Sequence, residues 1–138
     1  MSSGLPVAKV HATPETQPYW DGLAEDRLVL PRCDSCGFVI WYPRPLCPSC
    51  HSSGVSWFEA SGRGRIYSFT IVRKGQGRWR ECSPYVLAYV ELDEGPRVLT
   101  NVVTDDVDSL AVDDVVTLSV DHRDDADEPA LTMRFTPT

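Results

Sequence analysis

Four cysteines stand in two short pairs whose spacing is typical of a metal site. Cys33 and Cys36 form one C-x2-C pair, Cys47 and Cys50 form the other, and ten residues separate the pairs. A C-x2-C turn holds two thiolates on one side of a tight loop, so two facing loops make a tetrahedral site of four sulfurs. Such a site suits Zn2+ best and iron second. The sequence therefore predicts a structural Zn2+ held by all four cysteines.

The residues around the pairs suit such loops. Gly37 follows the first pair, where a positive φ lets backbone N–H groups point at sulfur. His51 takes the matching place after the second pair, and it is predicted to be a surface histidine because four thiolates already fill the site. Three prolines (43, 45 and 48) help to set the bends of the gap. That gap is shorter than the roughly 15–20 residues usual in zinc ribbons.

Two other interpretations of the cysteines are weaker. Disulfides would need an oxidising compartment, and residues 1–10 contain no apolar signal segment. A thioredoxin-type redox pair needs one C-x2-C at a helix start beside a βαβ unit, and that pattern is absent. Cys82 is left over and is predicted to be a partly exposed thiol.

Composition indicates one folded domain with an uneven charge distribution. The 138 residues are 42% hydrophobic and contain no run long enough to span a membrane, which predicts a soluble cytoplasmic protein. The net charge of -7 opposes non-specific nucleic-acid binding, which needs a broad basic face. Six cations nevertheless lie between Arg63 and Glu81. They indicate either a small anionic ligand or partner surface, or ordinary solvated charge.

Apolar periodicity predicts one short helix near the N-terminus. Residues 1–12 have the composition of a loose tail, and Thr13-Pro14-Glu15-Thr16 is typical of a helix start. Tyr19, Trp20 and Leu23 then form one apolar stripe. The stripe either packs on its own domain or docks on a partner, because exposed apolar patches tend to mark interfaces.

Strands dominate the rest of the chain. The segment 28–32 leads into the first cysteine pair, and 38–42 is predicted to be a strand with one side covered, since it is too apolar for a free-standing ribbon. Further strands are predicted at 55–59, 64–72, 85–92, 97–103, 115–120 and 130–135, with a crossing at 105–110 and an acidic loop at 121–129. About five strands with one crossing describe a small closed barrel of the OB type, and an SH3-like barrel is the alternative.

No catalytic set stands out in the sequence. It contains no Gly-x-Ser-x-Gly elbow, no phosphate-binding loop and no dinucleotide glycine fingerprint. The three histidines are remote in sequence from any obvious nucleophile. The residues favour a binding or scaffolding module over a free-standing enzyme.

Five segments in a fixed order carry a family resemblance. They are 18–23 (PYWDGL), 27–37 (RLVLPRCDSCG), 43–50 (PRPLCPSC), 61–70 (SGRGRIYSFT) and 84–95 (PYVLAYVELDEG). This order resembles the DUF35 family of zinc-ribbon OB-fold proteins linked to acyl-CoA metabolism, from about Thr13 to Phe135. The resemblance implies a mainly β fold with an N-terminal tail and helix (1–27), a rubredoxin-like zinc ribbon (28–54) and a five-stranded OB-fold barrel (55–138).

The resemblance also implies a function. Members of the family commonly pair with thiolase-superfamily enzymes in hetero-oligomers, as non-catalytic accessory subunits. They stabilise a thiolase, help to pass an acyl-CoA, or support a retro-aldolase acting on steroid side-chain CoA esters, with the catalytic residues on the partner. Many relatives are fused to, or occur beside, a MaoC-type hydratase. Candidate partner contacts here are Tyr19, Trp20 and Leu23.

A loop between two predicted strands suits coenzyme A. The ligand carries a pyrophosphate and a 3′-phosphate, which arginine and lysine bind well. The candidates for coenzyme A or partner contact are Arg73, Lys74, Arg78, Trp79 and Arg80. Trp79 either stacks on adenine or packs within the loop. A free-standing nucleic-acid-binding module, or electron transfer by an iron-loaded site, are the alternative functions.

Overall fold

The computed structural model describes residues 3–123 and 130–138 of the chain. The elements are one helix, α1 (Gln17–Ala24), and seven strands: β1 (Val29–Cys33), β2 (Val55–Glu59), β3 (Arg63–Val72), β4 (Tyr85–Leu92), β5 (Arg97–Val102), β6 (Val115–Arg123) and β7 (Ala130–Pro137). Short 3-10 turns occur at Gly77–Trp79 and Val107–Ser109, and the second of these confirms the predicted crossing. None of the helices in the described residues has the length and apolar character that crossing a membrane would require.

The last five strands close into a barrel. Their order is β3-β4-β5-β7-β6, and β6 pairs back to β3. All neighbours are antiparallel except β5 and β7, which are parallel. The chain is thus mainly β with a five-stranded closed barrel, as an OB-fold requires. β2 does not join this barrel, although the sequence pattern grouped it with the barrel strands, because it pairs with β1 in a separate two-stranded sheet.

Strict alternation along the strands builds the barrel core. In β4, Val86, Ala88, Val90 and Leu92 are buried, whereas the residues between them are exposed or half-buried. Successive side chains of a strand point to opposite faces, so one face fills the interior. The fully buried members from other strands are Ile66, Val98, Val116 and Phe135. Each such side chain stabilises the fold by about 1.5–3 kcal/mol relative to an exposed one.

The helix begins later than predicted. It starts at Gln17, with Thr16 as its N-terminal flanking residue and Pro18 in the first turn. The Thr16 hydroxyl caps no helical N–H, because it accepts instead from the backbone N–H of Thr13 at 2.9 Å. Residues 14–16 therefore form a turn that precedes the helix.

The apolar stripe of α1 packs on the chain's own core. Tyr19 is 4% exposed and Leu23 is fully buried, while Trp20 is half-buried. A Cβ added at Gly22 would lie 2.6 Å from Val29 Cγ2, so glycine lets the helix approach β1 closely. This packing argues against Tyr19 and Leu23 as partner contacts, because neither leaves surface for another protein. Trp20 remains a candidate.

The predicted strand at 38–42 is wrong, although its covered side is confirmed. Only one bridge forms, between Arg32 and Val39. The backbone N–H of Ile40 donates to the Pro31 carbonyl at 2.9 Å, but proline has no N–H to return the bond, so the ladder ends there. Ile40 is nevertheless fully buried, and Val39 and Trp41 pack against the main core.

The N-terminal segment is an ordered part of the fold. Residues 3–10, which the composition predicted to be a loose tail, run beside β7: the Ala8 N–H donates to Thr132 Oγ1 at 3.1 Å, and Lys9 bridges Ala130. Val7 is 8% exposed. Of the predicted acidic loop, residues 121–123 belong to β6, and 124–129 lie outside the described residues. The division into segments 1–27, 28–54 and 55–138 remains a prediction.

Candidate metal centre and its surroundings

The four paired cysteines meet at one point of the ribbon. Their sulfurs all lie within 4.8 Å of one another. The Sγ atoms of Cys33 and Cys50 are 3.5 Å apart, and those of Cys36 and Cys47 are 3.6 Å apart. A tetrahedral ion with metal–sulfur bonds of about 2.3 Å separates its ligands by about 3.8 Å, whereas a disulfide requires about 2.05 Å. The geometry therefore fits four thiolates around one ion, and all five cysteines are free.

Both loops present their sulfurs through the same turn. The N–H of Gly37 donates to the Cys33 carbonyl at 2.9 Å, and the N–H of His51 donates to the Cys47 carbonyl at 2.8 Å. The φ angle of 76° at Gly37 confirms the positive φ expected there, and His51 adopts the same conformation after the second pair with a φ of 66°. His51 is exposed and lies outside the sulfur cluster, which agrees with its prediction as a surface residue.

Hydrogen bonds set the sulfur pKa values apart. The Cys36 backbone N–H lowers the pKa of the Cys33 thiol to about 6. At Cys50 the Ser52 backbone lowers the pKa, but the hydrogen bond with the Cys33 sulfur and desolvation outweigh it and raise the pKa to about 12. The hydrogen bond between the two sulfurs thus lowers the pKa of one thiol and raises the pKa of the other. Adjacent thiolates also repel, and a divalent cation would offset that repulsion, since cysteine binds metals as the thiolate.

The ribbon has little apolar core of its own. The cluster of buried residues around the sulfurs consists of Cys33, Ile40 and Cys47, with Val55 packed against them, whereas Leu30 of β1 and Leu28 just before it belong to the main core. The loops are tied by polar contacts instead: Ser56 Oγ donates to Asp34 Oδ1 at 2.6 Å, and the Asp34 N–H donates to the Gly54 carbonyl at 2.9 Å. A unit this small usually needs a metal or disulfides to stay folded.

An aromatic cluster attaches the ribbon to the helix. The ring of Tyr19 meets the rings of Trp20, Trp41 and Tyr42 edge-on, at centroid distances of 5.0, 5.6 and 5.8 Å. Burial raises the pKa of Tyr19 above its ordinary value, so its hydroxyl stays neutral. The ribbon and α1 are therefore packed together, and contact with the helix fixes the position of the segment between the two cysteine pairs.

The basic loop is only partly available for a ligand. Arg73 pairs with Asp108 at 2.7 Å, and the ring of Trp79 packs on that of Tyr85 at 4.6 Å. Lys74, Arg78 and Arg80 are exposed, and no ion pair involves them within the described residues. Arg78 also lines a groove of about 420 Å3 between this loop and residues 4–6. The site residues predicted for this loop remain candidates, with three cations open to solvent.

Sequence reasoning missed a buried polar cluster on the outside of the barrel. Arg134 on β7 is 2% exposed and pairs with the buried Asp121 of β6. The guanidinium also donates to Asn101 Oδ1 at 3.2 Å and to the Pro6 carbonyl, and Ser3 donates to Asp121. The N-terminal segment thus covers an ion pair that its own polar groups complete. The alternation of β6 and β7 did not indicate that Asp121 and Arg134 are buried, since charged residues at outward positions normally face water.

Two family models together match residues 20–121. Residues 20–56 match the ChsH2 rubredoxin-like zinc ribbon domain, and residues 57–121 match the ChsH2 C-terminal OB-fold domain. A solved structure titled Ltp2-ChsH2(DUF35) aldolase superposes on 94% of this chain and 98% of its own, with a TM-score of 0.76 and 30% identity. The chain belongs to the DUF35 family.

Two curated relatives of this DUF35 protein carry different descriptions. A DUF35 domain-containing scaffold protein of Methanothermobacter thermautotrophicus is 37% identical over 86 residues, which is 62% of this chain and 65% of the relative. The benzoylsuccinyl-CoA thiolase subunit BbsA of Thauera aromatica is 31% identical over 108 residues, 75% of this chain and 72% of that subunit. The match thus spans just under two thirds of the scaffold protein and somewhat more of BbsA.

Proposed function

We propose that this DUF35 protein is a non-catalytic accessory subunit that binds and stabilises a thiolase-superfamily enzyme. That enzyme is a thiolase or a retro-aldolase acting on acyl-CoA, with steroid side-chain CoA esters as one substrate class. The observation that carries the proposal is the likeness, over almost its full length, to the chain of an aldolase structure. The likeness to a thiolase subunit over 75% of this chain supports it independently. A MaoC-type hydratase is proposed as a further partner on the sequence resemblance alone.

The chemistry of the sulfur cluster supports a structural role for the metal. Four thiolates fill a tetrahedral ion, and catalytic zinc sites instead keep one position open for water or substrate. Zn2+ is the proposed ion, because closed four-sulfur sites suit it best. Cys33, Cys36, Cys47 and Cys50 would hold it. Its role is to fix the two loops.

The experiment is co-expression with each thiolase-superfamily protein of the same organism, followed by affinity capture and size-exclusion chromatography. The expected result is a stable complex, in which the enzyme turns over acyl-CoA esters faster or for longer than it does alone. A chain that stays separate from every such enzyme while fully metal-loaded would overturn the proposal. Salt-dependent binding to single-stranded DNA in that case would favour the nucleic-acid alternative.

Coenzyme A contact by the basic loop is a separate part of the proposal. Lys74, Arg78 and Arg80 are the cations of this loop that are open to solvent. Charge-assisted hydrogen bonds from such cations are the strong contacts that a phosphate makes. The expected result for Arg78→Glu with Arg80→Glu is weaker binding of an acyl-CoA ester to the assembled complex, measured by calorimetry. Arg44→Glu, an exposed cation of the ribbon, is the matched control. Unchanged affinity in the double variant would remove coenzyme A from this loop.

A further inference from the structure

One outer face of the barrel carries large apolar side chains in solvent. Leu87 and Tyr89 on β4 are 38% and 46% exposed, Leu99 on β5 is 53% exposed, and Tyr67 on β3 is 48% exposed. The strand register sets Tyr89 opposite Leu99, and a register shift in β3 accompanies Tyr67. These four side chains are therefore neighbours, and we call them the β3–β5 face.

The composition of this face is unusual for a half-solvated sheet. Antiparallel sheets normally place polar residues on their outer side, yet here the central outward positions of β4 and β5 are Leu87, Tyr89 and Leu99. A shallow groove of about 240 Å3 runs across the face, lined by residues 68–70, 87–89 and 99. Half-exposed side chains of this size give an apolar area on the order of 300–400 Å2. Patches of that size on a single chain tend to mark interaction sites.

Arginines border one end of the face, and the basic loop borders the other. At the first end the register aligns Arg65, Glu91 and Arg97 in a row; the Arg97 guanidinium pairs with Glu91 at 2.9 Å and lies 3.9 Å from the centroid of the Tyr67 ring. At the other end Tyr85, two residues before Leu87 on the same side of β4, packs against Trp79 of the basic loop. An apolar centre with an arginine-containing rim is the usual composition of a protein–protein interface.

The apolar surface also continues onto the ribbon. Arg97 lines a groove of about 520 Å3 together with Phe38 and Trp41, which lie in the segment between the cysteine pairs. Phe38 is 44% exposed. A partner seated on the β3–β5 face would reach this groove across Arg97. The barrel and the metal-bearing ribbon would then contact the same protein.

We propose that the β3–β5 face is the surface on which this chain docks its thiolase-superfamily subunit, an inference that rests on the proposed function. The subunit would present an apolar patch with an acidic rim, complementary to the cations at the two ends. A standard interface buries about 800 Å2 per partner. The face supplies roughly half of that area, and the ribbon groove and the basic loop supply the remainder.

A second copy of this chain fits the face less well. A two-fold interface brings the same patch of both copies together. Arginines outnumber acids in the row at one end, and exposed cations of the basic loop lie beside the other end, so self-association brings net positive charge against net positive charge in either orientation. Such a juxtaposition is costly, whereas an acidic rim on a different protein satisfies the same groups.

The test compares two substitutions on the face with one off it. Leu99→Glu and Tyr89→Glu place a carboxylate at the centre of the face. Val112→Glu is the variant off the face and places a carboxylate at a turn, where the valine is 54% exposed. Binding to the co-expressed thiolase-superfamily subunit is measured by titration calorimetry. Leu99 and Tyr89 variants are expected to bind at least tenfold more weakly, and Val112→Glu is expected to bind as the wild type does. Leu99→Thr, which keeps a strand-forming residue, is expected to change affinity in the same direction if the acidic variants fold poorly.

The outcomes separate the docking surface from the accessory role. If the wild-type chain forms the complex and both acidic variants bind with wild-type affinity, the β3–β5 face is not the docking surface. The accessory role is then unaffected. A wild-type chain that forms no complex overturns both. A wild-type dimer that Leu99→Glu dissociates, with partner binding unchanged, assigns the face to a second copy and also overturns the inference.

Discussion

Replacing Cys47 by serine should unfold the ribbon while the barrel stays folded. Cys47 is fully buried, and its sulfur lies 3.6 Å from that of Cys36 within the four-sulfur cluster. Structural zinc sites supply about 10–16 kcal/mol of apparent binding free energy, which acts as folding free energy. The residues beside the sulfurs cannot replace it, because Ile40 is the one aliphatic side chain in the buried cluster that they form, and burial of one such residue stabilises by about 1.5–3 kcal/mol. Ordering the backbone costs about 1–2 kcal/mol for each residue of the loops.

The barrel should respond differently because its interior residues, such as Val90 and Phe135, belong to another cluster than Ile40 and the two buried cysteines. Hydrogen exchange with mass spectrometry distinguishes the two parts. The expected result is metal content below a tenth of an ion per chain, lost protection over residues 33–54 and retained protection in β4 and β5.

Cys82→Ser is the matched control for this experiment. Cys82 lies outside the sulfur cluster, and its thiol donates to the Gly4 carbonyl at 3.1 Å. The variant should keep one metal ion and full ribbon protection. A metal-free Cys47→Ser protein with wild-type protection over 33–54 would refute the reasoning, since the ribbon would then fold without its ion.

Three further predictions concern pH, a buried pair and a close backbone contact. Metal affinity should fall as the pH is lowered, and most steeply below about 6, because even Cys33, whose pKa is lowered to about 6, then binds a proton. Competition with a colorimetric chelator at several pH values measures this affinity, and an affinity that does not change with pH would contradict the prediction. Asp121→Asn should lower the free energy of unfolding by about 3–5 kcal/mol, because the substitution leaves the buried Arg134 guanidinium without its carboxylate partner. Urea unfolding measures this change, and a loss below 1 kcal/mol would argue that the pair is solvated. Gly64→Ala should destabilise the barrel by about 1–3 kcal/mol, because the new Cβ would lie 2.6 Å from the Glu91 carbonyl oxygen of the neighbouring strand. A wild-type melting temperature would show that β3 and β4 separate easily. Gly95→Ala, where no atom would lie within 4 Å of the new Cβ, tests the cost of a positive φ without a clash.

The sequence revealed the parts of this protein whose chemistry is local. The two C-x2-C pairs predicted a four-sulfur cluster because ligand spacing within a turn depends on a few adjacent residues. The barrel strands were visible for a similar reason, since alternation in β4 is a property of consecutive residues. Family resemblance then supplied the order of the parts, which periodicity alone left open between two barrel types.

The features that sequence reasoning missed depend on distant partners. The segment 38–42 was predicted to be a strand because it is apolar, but the proline that ends its pairing lies in β1. The Asp121–Arg134 pair involves two strands and is covered by the N-terminal segment, more than a hundred residues away in the chain. For the apolar stripe of α1 the sequence left two alternatives open, and the position of α1 against β1 and β7 shows that Tyr19 and Leu23 belong to the core.

These contacts would give a bound metal a positional role in the proposed partner binding. An ion held by the four cysteines would fix the loops on either side of the segment that carries Phe38 and Trp41, and those two residues line the groove beside Arg97. Trp41 also packs against Tyr19 of α1, so one side of the segment is fixed by the helix and its ends are fixed by the cysteines. Loss of the metal should therefore weaken docking on the ribbon groove more than docking on the β3–β5 face. A metal-free Cys47→Ser chain that still binds its partner, only several-fold more weakly, would show that the barrel face provides most of the affinity. Complete loss of binding would instead place the dominant contacts on the ribbon.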